Sequence, residues 1–344
     1  MSAEKPINVA VVGAGAFGRN HARVYQHMEH AGEPVRLAAV ADLDPARASA
    51  LARQFGPDVA VFSDLEELIA RGGIQAASVA VPTVQHLNVA SRLMAAGIDV
   101  LIEKPLAATL ADADELIRLA KQHGRIAQVG HLERFNPAVQ ATLPLVSRPM
   151  FFEVHRLSVF SPRSLDIDVV LDLMIHDLDV VLTLAKSPVR EVRAVGLPIL
   201  SPQVDIANVR LEFQSGCVAN FTASRVSTER VRKLRFFQPQ QYISVDYTRQ
   251  DVLVFTVAPG TQAAGISVPG APGSPIQIAK PSVHAQEPLQ AELRAFLQAV
   301  RHRSQPVVPL EDGRRALALA LDIQATMREH ARRVNLDALG ARTQ

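Results

Sequence analysis

The sequence predicts an α/β protein: a doubly wound parallel sheet first, then a second α/β domain with a large open, mostly antiparallel sheet. Three observations predict it. A β-branched run, Ile7 to Val12, feeds into Gly13-Ala14-Gly15-Ala16-Phe17-Gly18 and then into a helical stretch. Short apolar strands and amphipathic helices alternate from there to about residue 128. Beyond Met150 the strands lengthen and alternate in polarity, as in an antiparallel sheet with one free face. At 344 residues the chain suggests about two domains. They are placed at 1–128 and 129–344, with the C-terminal helices packing back towards the first.

The first strand and its loop read as a dinucleotide site. Strand, G-x-G-x-x-G and helix follow one another, and each glycine has a task. Gly13 permits the tight turn, Gly15 lets backbone approach a pyrophosphate, and Gly18 allows close helix–strand packing. Ala16 and Phe17 complete the loop, and the helix from Arg19 to about Met28 offers its N-terminus to the anion. A second strand, Arg36 to Ala41, ends at Asp42, near the spacing expected for the acid that binds the adenosine ribose. A carboxylate there disfavours a 2′-phosphate, and Leu43 stands where Arg would serve NADP, so NAD is expected. Asp42 also fits a helix start, but Asp44 before Pro45 is the better cap, so both roles can hold.

The alternation then continues. Strands are read at 59–61, at 77–81 ending on Pro82-Thr83, in the run closing on Glu103-Lys104-Pro105, and at 126–129. Helices are read at 65–70, at 86–96 stopped by Gly97, and at 110–123 stopped by Gly124. An apolar run closing on Glu-Lys-Pro is odd for a structural strand, because charged residues are seldom buried unpaired and Pro cannot donate to a central ladder. Taken alone, the tripeptide is equally a surface pair capped by a turn. In a parallel sheet it falls, with Val81-Pro82-Thr83, at the carboxyl ends where ligands sit.

The second half carries another constellation. Residues 168–185 read as one helix, apolar nearly all round and therefore buried. Asp172 and His176, four apart, share a face, with Asp179 following. Three readings compete: a self-satisfied pair, two ligands of a metal site, and acid–base catalysis. No further ligands stand out, so no metal is expected. Oxidising an alcohol needs a base for the hydroxyl proton, and Lys104 and His176 are the candidates. The stretch 259–281, rich in Gly, Pro and Ala, reads as a loop, followed by helices at 287–302 and 313–333.

Composition narrows the partners. Net charge is +2 and the basic residues are dispersed, so neither nucleic acid nor an anionic membrane is expected. Cys217 is the single cysteine, which excludes a disulfide framework. The polar start, Met1 to Pro6, does not read as a signal peptide, no run is long enough to span a bilayer, and the cytoplasm is the expected compartment.

With these residues named, the chain resembles the glucose–fructose oxidoreductase / inositol dehydrogenase / rhizopine catabolism (Gfo/Idh/MocA) family. The resemblance rests on Gly13-x-Gly15-x-x-Gly18, on Val81-Pro82-Thr83 with His86, on Glu103-Lys104-Pro105, on Asp172-x-x-x-His176-x-x-Asp179 and on Glu311-Asp312-Gly313-Arg314-Arg315. It implies a Rossmann domain plus an open-sheet domain, NAD(P)-dependent oxidation of a sugar or cyclitol hydroxyl, and Lys104, Asp172 and His176 as the catalytic set. It also implies a homodimer or homotetramer formed through the second sheet. The runs 130–137 and 172–177 are similar to a nucleotide-sugar branch. That implies oxidation of the 3-hydroxyl of UDP-N-acetylglucosamine to a 3-keto sugar for lipid A assembly. Many relatives have Gly two residues after the Asp, where this chain has Met174. Arg134, Asn136, Arg156, Arg163 and Arg225 are candidates for the substrate and its diphosphate. An inositol or free-sugar dehydrogenase is the alternative, and a cofactor-sensing regulator without chemistry is a second.

Overall fold

The computed structural model describes residues 4–161, 167–257 and 276–335. It divides into two compact units. The first comprises Met1–Phe135 and Gln286–Leu317, the second Asn136–Ala285 and Ala318–Gln344.

In the first unit, β1 (Ile7–Val12), α1 (Ala16–His30), β2 (Val35–Ala41), α2 (Pro45–Ala52), β3 (Ala60–Phe62), α3 (Leu65–Arg71) and β4 (Ala76–Val79) open the alternation. The helix α4 (His86–Ala95), then β5 (Asp99–Glu103), α5 (Leu110–His123) and β6 (Ala127–Gly130) complete it. The six strands lie in the order β3-β2-β1-β4-β5-β6, all parallel. Strand order reverses between β1 and β4, the switch point where doubly wound sheets bind ligands. The strands are buried on both faces and read as near-continuous apolar runs. One cluster packs Val9 and Val11 of β1 against Tyr25 and Met28 of α1 and against Leu293 and Phe296 of a later helix.

Helix starts follow their caps. Asp44 accepts from the Ala46 and Arg47 amides with Pro45 at the first position, Asp64 from Glu66, and Thr109 from Asp112. Gly124 closes α5 in the left-handed region. Helix α1 begins at Ala16, inside the glycine loop, a turn earlier than periodicity suggests.

The second unit holds α6 (Pro137–Thr142), β7 (Phe151–Leu157), α7 (Ile175–Ala185), β8 (Val189–Leu197), β9 (Ile206–Phe213) and β10 (Val218–Ser224). The strands β11 (Val231–Gln238), β12 (Gln241–Asp246), β13 (Asp251–Val257) and β14 (Ile276–Ala279) follow. They form one eight-stranded sheet, β14-β13-β12-β11-β7-β10-β9-β8. Every pairing is antiparallel except β7 with β10. One face buries Phe152, Val154, Phe221, Phe236 and Val245. The other carries a cross-strand row, Phe151, Phe237, Tyr242 and Phe255, with successive ring centroids 5.6, 4.9 and 5.2 Å apart.

Two expectations are corrected here. Strand β14 lies inside the stretch read as loop; only four residues long and paired to β13, it is too short for alternation to reveal. The helix read over 168–185 is not uniform: a π-helical turn, Val170–Met174, leads into α7. Helices α8 (Pro288–His302) and α9 (Leu310–Arg333) end the described chain. Helix α8 belongs to the first unit, and the division between units falls within α9.

Candidate active site

The glycine loop is built as its spacing requires. Gly13 has φ of 101°, in the region glycine favours, and a Cβ there would lie 2.4 Å from the Ala80 carbonyl oxygen. A Cβ on Gly18 would lie 1.7 Å from the Gly13 carbonyl oxygen. Gly15 differs: among the described residues nothing lies within 4 Å of where its Cβ would be. It is also the N-cap of α1, which has no side-chain cap and no acid in its first turn. Open space over uncapped helix amides suits the pyrophosphate of a dinucleotide. The donor chemistry of the loop therefore fits NAD.

Asp42, just past β2, accepts from the Ala14 amide at 2.6 Å and the Asp44 amide at 2.9 Å. Its carboxylate thus ties the glycine loop to the end of β2. Leu43 beside it is 87 % exposed, and Val84, past β4, is 73 % exposed. Large apolar side chains left in water at carboxyl ends of strands are the informative exceptions to burial, and these two suit the flat faces of a nucleoside. Val84 was not read from the sequence, and Leu43 was read only as the position where Arg would serve NADP.

The loop after β4 contains Val81, then Pro82 ahead of a short 3₁₀ turn, Thr83–Gln85. His86 is buried, with Nε2 3.0 Å from the Val81 carbonyl oxygen and Nδ1 3.2 Å from that of Leu106. Burial holds its ring below the usual histidine range, against the pull of those carbonyls and of Glu103. His86 brackets the loops after β4 and β5 rather than facing outward.

Lys104 follows β5, half-buried, with a cis bond to Pro105 and its Nζ 6.0 Å from the centroid of the exposed Phe17 ring. Its backbone N–H donates to Glu103 Oε2 at 3.1 Å. Glu103 is buried, and its Oε1 lies 2.8 Å from His21 Nε2. Burial raises the Glu103 carboxyl, but the His21 hydrogen bond and the charges of His21 and Lys104 outweigh it and hold it below the usual range. Gly130 leaves room: a Cβ there would stand 3.2 Å from Glu103 Oε2. His21 and Ser78, which completes its hydrogen bonds at 2.9 Å, went unread. The signal was there in a serine inside the apolar run Ala76–Val79 and a histidine on the buried face of α1.

In the second unit, Asp168 caps the helix start, accepting from the Val170 and Leu171 amides at 2.9 and 3.0 Å and bonding Gln324. Asp172 lies in the π-helical turn, and His176 in the first turn of α7. Both are half-buried, not enclosed as an all-apolar helix implied. π-turns recur at functional sites. Asp179 is buried on α7.

The arginine expectations are largely corrected. Arg156 is 2 % exposed. Its Nε and Nη2 donate to both oxygens of Asp177 at 2.6 and 3.0 Å, and its guanidinium stands over the Tyr247 ring. A buried bidentate pair is not available to a diphosphate. Arg225 is buried too, donating to the Ile167 carbonyl, with Nε 3.7 Å from Asp205. Asn136 is the N-cap of α6 and donates to the Tyr247 carbonyl at 3.0 Å, so its amide is structural. Arg134 lies 3.2 Å from Asp312. Arg163 falls outside the described residues. No cluster of metal-ligating side chains and no helix long and apolar enough to cross a membrane occur among the described residues.

Comparison with known proteins places this geometry. Residues 7–131 match the model of the Gfo/Idh/MocA oxidoreductase family, NAD-binding Rossmann fold, and residues 153–244 match a Gfo/Idh/MocA C-terminal domain. The chain is 34 % identical to UDP-N-acetylglucosamine 3-dehydrogenase of Acidithiobacillus ferrooxidans over 325 residues, 93 % of this chain and 97 % of that protein. A solved structure of that enzyme superposes with a TM-score of 0.83, covering 94 % of this chain and 98 % of that one at 32 % identity. An inositol 2-dehydrogenase of Acidothermus cellulolyticus is 32 % identical over 57 % of this chain and 58 % of its own length.

Proposed function

The chain belongs to the Gfo/Idh/MocA family of NAD-dependent oxidoreductases, and within it we propose that it oxidises the 3-hydroxyl of UDP-N-acetylglucosamine to the 3-keto nucleotide sugar. The observation that carries the reading is Lys104, set at the carboxyl end of β5 beside the Phe17 ring of the glycine loop. Similarity to the A. ferrooxidans enzyme over nearly the whole chain supports the substrate. On this reading, product feeds surface-lipid assembly in the cytoplasm.

NAD, when bound, supplies the hydride acceptor. The chain's own residues do the rest. The open amides at Gly15 and the start of α1 bind the pyrophosphate, and Asp42 takes the adenosine ribose while fixing the loop. His176 removes the proton of the reacting hydroxyl, and Asp172, four residues before it, orients the ring. Lys104 holds the reacting oxygen, and Glu103 fixes the lysine's backbone by accepting its N–H at 3.1 Å. Purified protein is given NAD with UDP-sugars, inositols and aldoses, and NADH absorbance is followed with a coupled step to remove ketone. Turnover of UDP-N-acetylglucosamine above all others is expected. Faster turnover of an inositol would transfer the proposal to the inositol dehydrogenase reading, which the A. cellulolyticus similarity favours.

We also propose that the chain assembles as a homodimer or homotetramer through the second sheet. The row Phe151–Phe237–Tyr242–Phe255, with Phe237 37 % exposed and Ile278 44 % exposed next along, is an apolar stripe on a solvent-facing sheet face. Phe237→Asp is expected to halve the mass seen by light scattering. An unchanged mass would move the interface elsewhere.

A further inference from the structure

A buried polar string lies behind Lys104 in the first unit. Ser78 of β4, Leu101 of β5 and Gln128 of β6 are in register, and Glu103 lies two residues beyond Leu101 on the same face. His21 and Tyr25, one turn apart on α1, cover this row. The Tyr25 hydroxyl is 3.0 Å from Ser78 Oγ, Ser78 Oγ is 2.9 Å from His21 Nδ1, and His21 Nε2 is 2.8 Å from Glu103 Oε1. The His21 Nε2–H donates to Glu103, and Ser78 Oγ links His21 Nδ1 to the Tyr25 hydroxyl.

Helix α8 contributes Glu292 to this interior. Glu292 is fully buried, and neither carboxyl oxygen has a hydrogen-bond partner among the described residues. The Gln128 side-chain oxygen likewise has no partner among the described residues, while its amide nitrogen donates to the Glu292 carbonyl at 3.3 Å. Around Glu292, α1 brings Tyr25, β5 brings Glu103 with its partner His21, and β6 brings the neutral Gln128. The turn Leu132–Phe135, packed on α8, carries Glu133 and Arg134, the latter paired with Asp312. An unpaired buried carboxyl is costly and calls for a reason. Burial, then the charge of Glu103, push the Glu292 carboxyl well above the usual range, while Glu103 lies below it. Two neighbouring carboxyls in a buried interior do not both ionise readily.

We propose that Glu292 is a positioning residue for Lys104, acting through Glu103: the two carboxyls form one acid unit that keeps a single negative charge behind the lysine. In the wild type the charge sits on Glu103 and the proton on Glu292. When Glu103 cannot ionise, Glu292 does. The inference rests on the reading of Lys104 as the group that holds the reacting oxygen.

The test is a double-mutant cycle on the NAD-saturated full chain. Labelling of the Lys104 amine by acetic anhydride is followed against pH by mass spectrometry in wild type, Glu103→Gln, Glu292→Gln and the double variant. Glutamine keeps the shape of Glu292 and removes its titration, so a merely structural role leaves the cycle additive. Glu292→Gln alone is expected to leave the labelling midpoint nearly in place. In the Glu103→Gln background the same change is expected to lower it by about one pH unit, the scale for losing an opposite charge nearby. Equal effects of Glu292→Gln in both backgrounds would overturn the inference. Glu292→Met carries the same cycle if the glutamine variant does not fold. The readout is independent of turnover. A Lys104→Ala variant that still turned over substrate would end the catalytic reading and leave the cycle intact, whereas an additive cycle with an inactive Lys104→Ala would end this inference alone.

Discussion

Gly15 and Gly18 stand three residues apart, yet alanine at each is expected to fail in opposite ways. A methyl on Gly18 would stand 1.7 Å from the Gly13 carbonyl oxygen and 3.3 Å from Val11 Cγ1. Ordinary contact between such atoms begins above 3 Å, so α1 and the loop must part by about 1.5 Å, an overpacking that costs about 1–3 kcal/mol or more. Helix propensity returns about 1 kcal/mol of this at most. Gly15 has φ of −69°, which alanine adopts freely, and open space where the methyl would go. The folded apoprotein should therefore tolerate Gly15→Ala, with a gain of about 0.4–1 kcal/mol from a stiffer unfolded chain. The same methyl fills the space meant for the pyrophosphate and is expected to weaken NAD at least about tenfold, or 1.4 kcal/mol. The assay is thermal unfolding with and without NAD, joined to calorimetric titration. Gly18→Ala should melt lower by about 2–4 °C per kcal/mol. Gly15→Ala should melt about 1–4 °C above wild type without NAD and lose most of the NAD-induced shift. A Gly15→Ala protein with unchanged NAD affinity would refute the assignment of that space to the cofactor.

Further outcomes follow from the same geometry. Asp177→Ala strands the Arg156 guanidinium, both side chains being at most 3 % exposed, and should cost about 3–5 kcal/mol in denaturant unfolding. Little loss there would mean the pair is not buried. Asn136→Ala removes the α6 cap and the bond to the Tyr247 carbonyl, so about 1 kcal/mol of stability should go while the KM for the nucleotide sugar stays put. A raised KM with normal stability would return Asn136 to the substrate site. Glu292 has its folded pKa raised, so it binds a proton that the unfolded chain has released at pH above its ordinary range. Its contribution to stability therefore falls as pH rises from about 4.5 towards neutrality. Glu292→Gln should gain in Tm over wild type across that window and match it at lower pH; a gain independent of pH would contradict a protonated carboxyl.

Much of the first unit was legible because its signals are local. Glycines that must touch backbone, an acid ending β2, and Pro45 after Asp44 each act within a few residues. The pairing of Arg156 with Asp177 was not legible, because nothing local brings β7 against α7. Candidate phosphate ligands thus became a buried strut. Asn136 carries the same lesson at short range, since Asn before Pro137 is an N-cap signal that was read as a ligand. The string from Tyr25 to Glu103 crosses α1, β4 and β5, and only its members' oddity in apolar surroundings marks it in the sequence. Strand β14 escaped because four residues are too few to show a period.

We propose that this chain takes hydride from a nucleotide sugar, with Lys104 and His176 acting on the reacting hydroxyl. It is tested most directly by NADH formation from UDP-N-acetylglucosamine in wild type, Lys104→Ala and His176→Ala, with NAD affinity measured on the same samples. Wild-type turnover, with losses of about 10²–10⁴-fold in each variant and NAD affinity held within a few-fold, is the expected result. Either variant turning over at the wild-type rate, or a wild-type protein that binds NAD and oxidises no sugar, would contradict it.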